Sequence, residues 1–233
     1  TLGKMEYNGS IYFTKRREAA MTNHEPMALV REKLIERTAK KLEENQMTAY
    51  YAPTLEDARK LVQELLPKGC TVACGGSMTL SEAGIMDLLR SGDYEFYDRE
   101  AVPQEEIDLV LRKAFFADCY LTSCNAVTEQ GELYNVDGNA NRVAAMTYGP
   151  KSVICVVGYN KIVPNLEAAV ARVEQVAAPA NAVRLHRKTP CTVTGRCEDC
   201  HSPDRICCTT VIHRQQRVPG RIKVILVGEE LGY

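Results

Sequence analysis

The sequence predicts an α/β fold, a mainly parallel sheet flanked by helices. Three observations predict it. Strand-like and helix-like segments alternate along most of the 233 residues. The most strand-like of them, "KSVICVVG" (151–158), is apolar on both faces, as an inner strand of a covered parallel sheet has to be. Helix-start residues follow the strand-like runs: Thr54 after Pro53, Pro103 with two glutamates behind it, and Asn165.

From Met27, apolar residues at Val30, Leu34, Ile35, Ala39 and Leu42 recur at helical spacing, while Arg31, Glu32, Lys33, Glu36 and Lys40 take the other face, predicting a surface helix. "MTAYYA" (47–52) is β-prone, and Leu55, Ala58, Leu61, Val62 and Leu65 form the buried stripe of a second helix. "CTVACGGSMTLSEAGIMDLL" (70–89) reads as strand, glycine turn, helix. "YEFYD" (94–98) reads as a strand, Pro103 to Phe116 as a helix, and "DCYLTS" (118–123) as a strand. "AVTEQGELYNV" (126–136) reads as two extended pieces turning at Gln130 and Gly131, and "NANRVAAMTYG" (139–149) as a short helix. After 151–158, Leu166, Ala169, Val170, Val173 and Ala177 form a helical stripe, and "RIKVILVGEELGY" supplies a further strand. The cysteine-rich segment 189–210 lies before that strand, in a connection between elements. Residues 1–26 have no clear amphipathic period and read as an N-terminal extension, so the domain is expected over 27–233.

Lys and Arg total 29 against 30 for Asp and Glu, so no net field favours a polyanion. With four Phe, no Trp and no basic stripe, a nucleic-acid partner is not expected. No apolar run reaches the roughly 18–20 residues of a membrane span, and no basic-then-apolar leader is recognisable. A cytoplasmic location is expected, with no membrane partner. Thiols stay reduced there, which turns attention from disulfides to metal or redox chemistry.

Three constellations could carry chemistry. Gly75, Gly76 and Ser77 stand between a strand and a helix, where backbone N–H groups favour a phosphate or carboxylate; an ordinary tight turn is the plainer reading. The segment 123–142 is rich in amides and acids. Asn125, Asn135, Asn139 and the Arg142 fork are candidate ligand contacts, and Glu129 and Asp137 candidate bases. Turns and caps use the same residue types. Asn160 and Lys161 follow the strongest strand, at the edge where such sheets bind ligands. There Lys161 could hold a substrate anion or act as a base.

"GGSMTLSEAGIMDLL", "ADCYLTSCNAVTEQGELYNVDGNANRVAAMTYGPKSVICVVGYNKIVPNLEAAVARV" and "VILVGEELGY" together resemble the lactate-utilisation (LUD) domain, over roughly residues 27–233. The resemblance, which is to LUD proteins of the B/C type, implies a sheet like that of ribose-phosphate isomerases, glucosamine-phosphate deaminases and CoA-transferases. It also implies a link to bacterial L-lactate oxidation beside iron–sulfur partner subunits. The ligand expected from the glycine turn, the polar segment and Lys161 is a small carboxylate or phosphorylated molecule; a homo-oligomer fits as well. An alternative is a self-contained isomerase or transferase using the same pocket, and a third is a redox-sensing regulatory partner. Two departures matter. The tandem C-x2-C-x2-C-x3-C-P runs of cluster-carrying LUD subunits are absent, and no glutamate stands in a context resembling the CoA-transferase nucleophile.

"CTVTGRCEDCHSPDRICC" (191–208) spaces its cysteines as Cys191-x5-Cys197-x2-Cys200-x6-Cys207-Cys208. Four thiolates suit tetrahedral zinc or an iron–sulfur cluster, with Cys191, Cys197, Cys200 and Cys207 as ligands and Cys208 or His201 as lesser candidates. The redox setting that the resemblance implies puts iron–sulfur ahead of zinc. A dithiol switch and inert thiols are the competing readings. Lying beyond the polar motifs, the segment is expected to be an added module separate from the substrate pocket.

Overall fold

The structure, a computed structural model, describes residues 25–233. The N-terminal extension expected over 1–26 lies outside the described residues except for its last two. Helix α1 (Glu25–Glu44) buries Ile35, Ala39 and Leu42, positions marked by the apolar period. β1 (Thr48–Ala52) follows. Then comes α2 (Leu55–Leu65), where the Thr54 hydroxyl accepts from the Asp57 N–H as a cap.

After β2 (Thr71–Cys74), the helix expected behind the glycine turn is split into α3 (Met78–Glu82) and α4 (Ile85–Leu89). Gly84 between them adopts φ 63°, a left-handed conformation that ends one helix and redirects the chain into the next. β3 (Glu95–Tyr97) leads to α5 (Ile107–Lys113), which tightens into 3-10 turns at both ends, and then to β4 (Cys119–Thr122). β5 (Ala126–Thr128) and β6 (Leu133–Asp137) form the expected hairpin. α6 (Asn141–Tyr148), β7 (Ser152–Gly158) and the short β8 (Ile162–Val163) come next. α7 (Leu166–Arg172), capped by the Asn165 side chain, runs through a π turn into α8 (Ala178–Arg184). α9 (Cys191–Thr194), β9 (Thr209–His213) and β10 (Ile222–Val227) complete the order.

The main sheet has six strands in the order β1-β10-β7-β4-β2-β3, and every neighbouring pair is parallel. β7 lies between β10 and β4, the inner place that its two apolar faces require. Successive side chains point to opposite faces. Val153, Cys155 and Val157 therefore join a core with Ile35 and Leu42 of α1 and Met146 of α6. Ile154 and Val156 join a second core with Val62 of α2 and Ile85 and Leu88 of α4. Each fully buried aliphatic side chain contributes about 1.5–3 kcal/mol to holding these layers together.

A second sheet, β8-β5-β6-β9, pairs β8 with β5 in parallel and the others antiparallel. The hairpin was legible in the sequence, but its extension by β9 was not. Register pairs Asn135 with Val211 and Asp137 with Thr209. That pairing brings the cysteine-rich connection back towards the polar turn after β6.

Candidate functional site

All strands of a parallel sheet end at one edge, so the loops leaving them meet there. Here they enclose a cavity of about 400 Å³. One wall is built from Gly76 to Thr79 after β2, Arg99 after β3, Ser123 to Asn125 after β4, Lys161 after β7, and Gly232 and Tyr233 after β10. The polar turn between β6 and α6 faces them, and Arg184, Arg187, Asp204, Arg205 and Ile206 complete the rim. Cationic side chains, Lys161 and Arg99, Arg142, Arg184, Arg187 and Arg205, outnumber the acids Asp137 and Asp204. Such a cavity favours a small anion.

Of the residues predicted from sequence, Gly76, Ser77, Asn125, Asp137, Asn139, Arg142 and Lys161 line the cavity. Ser77 caps α3, accepting from the Leu80 N–H. A Cβ on Gly76 would collide with the Arg99 guanidinium, so this glycine makes room for a cation as well as for a ligand. Gly75 stands outside the lining; a Cβ there would press on Arg142 Cδ and the Tyr120 hydroxyl, both at 3.2 Å. Asn160 also lies outside, where its Oδ1 accepts from the Leu231 N–H at 3.1 Å and its amide donates to the Gly232 carbonyl. It positions the segment after β10 and does not line the cavity.

Four of the expected site residues are held by other partners. Glu129 was a candidate base, yet it sits at the β5–β6 turn, outside the cavity lining, and forms an ion pair with Arg37 of α1. Asn135 is wholly buried, and its Oδ1 accepts from Arg142 Nη1 at 2.6 Å. Arg142 lines the cavity, but its donors are taken: Nε bonds Asp137 Oδ1, Nη1 bonds the Ser123 carbonyl and Asn135, and Nη2 bonds Asn125 Oδ1 and the Val136 carbonyl. Asp137 is committed as well, since its Oδ2 accepts from the Val143 N–H at 2.9 Å. This pair fixes the turn between β6 and α6; neither member is available as a simple ligand clamp or base.

Lys161 is different. It is 3 % exposed, and its Nζ donates to Thr79 Oγ1 at 2.9 Å and Ser123 Oγ at 3.2 Å, with no carboxylate in ion-pair contact among the described residues. Burial pulls its pKa down to about 8 against the raising effect of Cys124, and Arg172 and Arg142 lower it further. Among the described residues Arg172 bonds the backbone carbonyls of Asn160 and Asn125. On the same wall the Tyr233 hydroxyl is buried and has no hydrogen-bond partner among the described residues. Thr79, Arg99 and Tyr233 were missed from sequence. Their only signal is position just beyond strand-like segments.

All ten cysteines are free thiols. Cys191, Cys197, Cys200 and Cys207 line one small cavity of about 20 Å³, packed against Ala178 and Ala182 of α8. Arg205 spans it, donating to the carbonyls of Cys200 and Cys207. Among the described residues no group of three or more His, Cys, Asp or Glu is placed to hold a metal ion. The segment forms its own cavity and also borders the ligand cavity. Arg205 and Ile206 line both cavities and form the wall between them.

Fold and site define an α/β protein with a cationic, ligand-sized pocket at the carboxyl edge of a parallel sheet. The family model described as LUD domain matches residues 35–227, and the chain belongs to that family. A DUF162 family protein from Deinococcus radiodurans, known from its crystal structure, is similar to the chain at 16% identity and a TM-score of 0.49. That match covers 84% of this chain and 98% of the other. No curated protein matches. Among the described residues no helix is long and apolar enough to cross a membrane.

Proposed function

We propose that this LUD-domain protein serves cytoplasmic organic-acid utilisation of the L-lactate type by binding a small carboxylate or phosphorylated ligand in the strand-edge pocket. The observation that carries this reading is Lys161, a buried ammonium held by hydroxyls alone. Removing a cation from water without a counter-charge costs several kcal/mol, and a bound anion offsets that cost. The unpartnered Tyr233 hydroxyl adds a donor on the same wall. Calorimetric titration with L-lactate, pyruvate and phosphoenolpyruvate tests the reading: at least one should bind the native protein and fail to bind Lys161→Met. Equal binding by both proteins, or by neither, would overturn it.

A second reading adds a redox centre and is favoured by the four cysteines around one cavity that shares a wall with the pocket. Zinc held by the same four thiolates is the other occupant of this reading. An iron–sulfur cluster would draw its thiolates from Cys191, Cys197, Cys200 and Cys207, the sulfurs around that cavity. Arg205 would offset part of its negative charge. A cluster here would suit work beside iron–sulfur partner subunits. Iron and acid-labile sulfide in protein purified without oxygen are the expected result; protein free of both would leave a dithiol switch as the role of these cysteines.

A further inference from the structure

We propose that Cys124 is the covalent nucleophile of the pocket, and that its sulfur adds reversibly to the carbonyl carbon of a small 2-oxo acid. This rests on the anion-binding reading of the same cavity. Cys124 follows β4 at the ligand-binding edge, is 2 % exposed and lines the cavity. Its chain neighbours are each clamped by a guanidinium: Arg142 Nη1 donates to the Ser123 carbonyl at 2.9 Å, and Arg172 Nη1 donates to the Asn125 carbonyl at 2.7 Å. Lys161 Nζ bonds the Ser123 hydroxyl at 3.2 Å. Three cations therefore bond the residues on either side of Cys124, and the nearby carboxylate of Asp137 is held by Arg142.

The second sulfur is Cys155 of β7, a strand that pairs with β4 so that Thr122 lies beside Cys155. Both cysteines belong to the same buried core. Burial opposes ionisation of Cys124, but the hydrogen bond with Cys155 and the charges of Lys161, Arg142 and Arg172 outweigh it and hold this thiol below its usual range. The same hydrogen bond, together with burial, pushes Cys155 well above it. The two shifts run in opposite directions, which makes Cys124 the more acidic thiol of the pair. Elsewhere burial leads to the opposite effect: it is the main cause that pushes Cys70 up to about 11, with Cys119 and Asp118 adding to it, and Cys74 up to about 12.

The ligand class follows from the chemistry of the cage. A carboxylate supplies the charge that Lys161 lacks, and an adjacent carbonyl supplies an electrophilic carbon. The step balances without an oxidant. As the sulfur forms the C–S bond its S–H bond breaks, the carbonyl π pair moves to oxygen, and that oxygen takes up the released proton, giving a thiohemiketal while Lys161 keeps its charge on the carboxylate.

Full-length reduced protein is titrated with pyruvate carrying carbon-13 at its carbonyl carbon. A new tetrahedral carbon signal is expected with the native protein and with Cys208→Ser, and its absence with Cys124→Ser. Calorimetry on the same samples should show pyruvate affinity falling about tenfold in Cys124→Ser. Binding without a tetrahedral signal would overturn the nucleophile and leave the anion pocket standing; no pyruvate binding would also overturn the nucleophile, and the anion pocket falls with it only if L-lactate and phosphoenolpyruvate fail to bind as well. If the serine variant does not fold, the native protein alone decides. Iodoacetate should carboxymethylate Cys124 at least about tenfold faster than buried Cys119, with protection by pyruvate. Equal rates would overturn the proposal.

Discussion

Lys161 Nζ lies 2.9 Å from Thr79 Oγ1, and the two residues come from different strand–helix connections, 82 positions apart in the chain. An ammonium in this setting is charged only below about pH 8 in the ligand-free protein, because burial lowers its pKa from 10.5. Anion affinity should therefore be greatest below pH 8 and fall by up to about tenfold per pH unit above it. The folded protein should gain stability over the same rise towards pH 10.5, since the unfolded chain still holds the proton there. Calorimetry and urea denaturation between pH 6 and pH 10 check both directions.

Arg142→Ala should cost about 3–5 kcal/mol of folding stability, because it strands Asp137, buried Asn135 and two carbonyls that the guanidinium now satisfies. Urea denaturation reads this directly. A variant with native stability and weakened ligand binding would show instead that the guanidinium belongs to the ligand.

His213 of β9 meets Thr147 Oγ1 at 3.1 Å through Nε2, while its Nδ1 is buried with no partner among the described residues. Burial, with Arg221 and Arg142 nearby, pushes its pKa down to about 4 from 6.5. The unfolded chain takes up this proton first, so stability should drop as pH falls from 6.5 towards 4, by about 3 kcal/mol in all. The loss in native protein minus the loss in His213→Leu isolates this contribution from the carboxylates that also titrate there.

Tyr233→Phe should leave the melting temperature unchanged or slightly raised, since it removes a hydroxyl that has no partner in the ligand-free pocket. Ligand affinity should fall about three- to tenfold. Unchanged affinity would show that the ligand does not reach this wall.

Much of the main sheet was legible because its signals are local. The two apolar faces of 151–158 place an inner strand, and Thr54 and Asn165 mark helix starts by their own hydrogen bonds. The split at Gly84 was not, because a glycine in a helical pattern marks a break only once its φ is known. The site was legible in part. Lys161 announced itself by standing after the strongest strand, whereas Arg142 looked like a free fork because its partners, from Ser123 to Asp137, converge only through the hairpin and α6. Arg205 and Ile206 could not be placed beside the pocket, since β9 pairing with β6 is a long-range contact with no local signature.

The strand order also governs when the protein can become functional. β10 is the latest strand in sequence yet sits between β1 and β7, so during synthesis those two strands lack their common partner until residues 222–227 leave the ribosome. The nascent chain must hold exposed strand edges through most of its elongation, a state that favours chaperone capture and slow, late closure. Gly232 and Tyr233 then arrive with the same segment and close the cavity. Chains that stop short of this segment would lack the middle of the sheet and a wall of the pocket together, which makes ligand binding a readout of synthesis past β10.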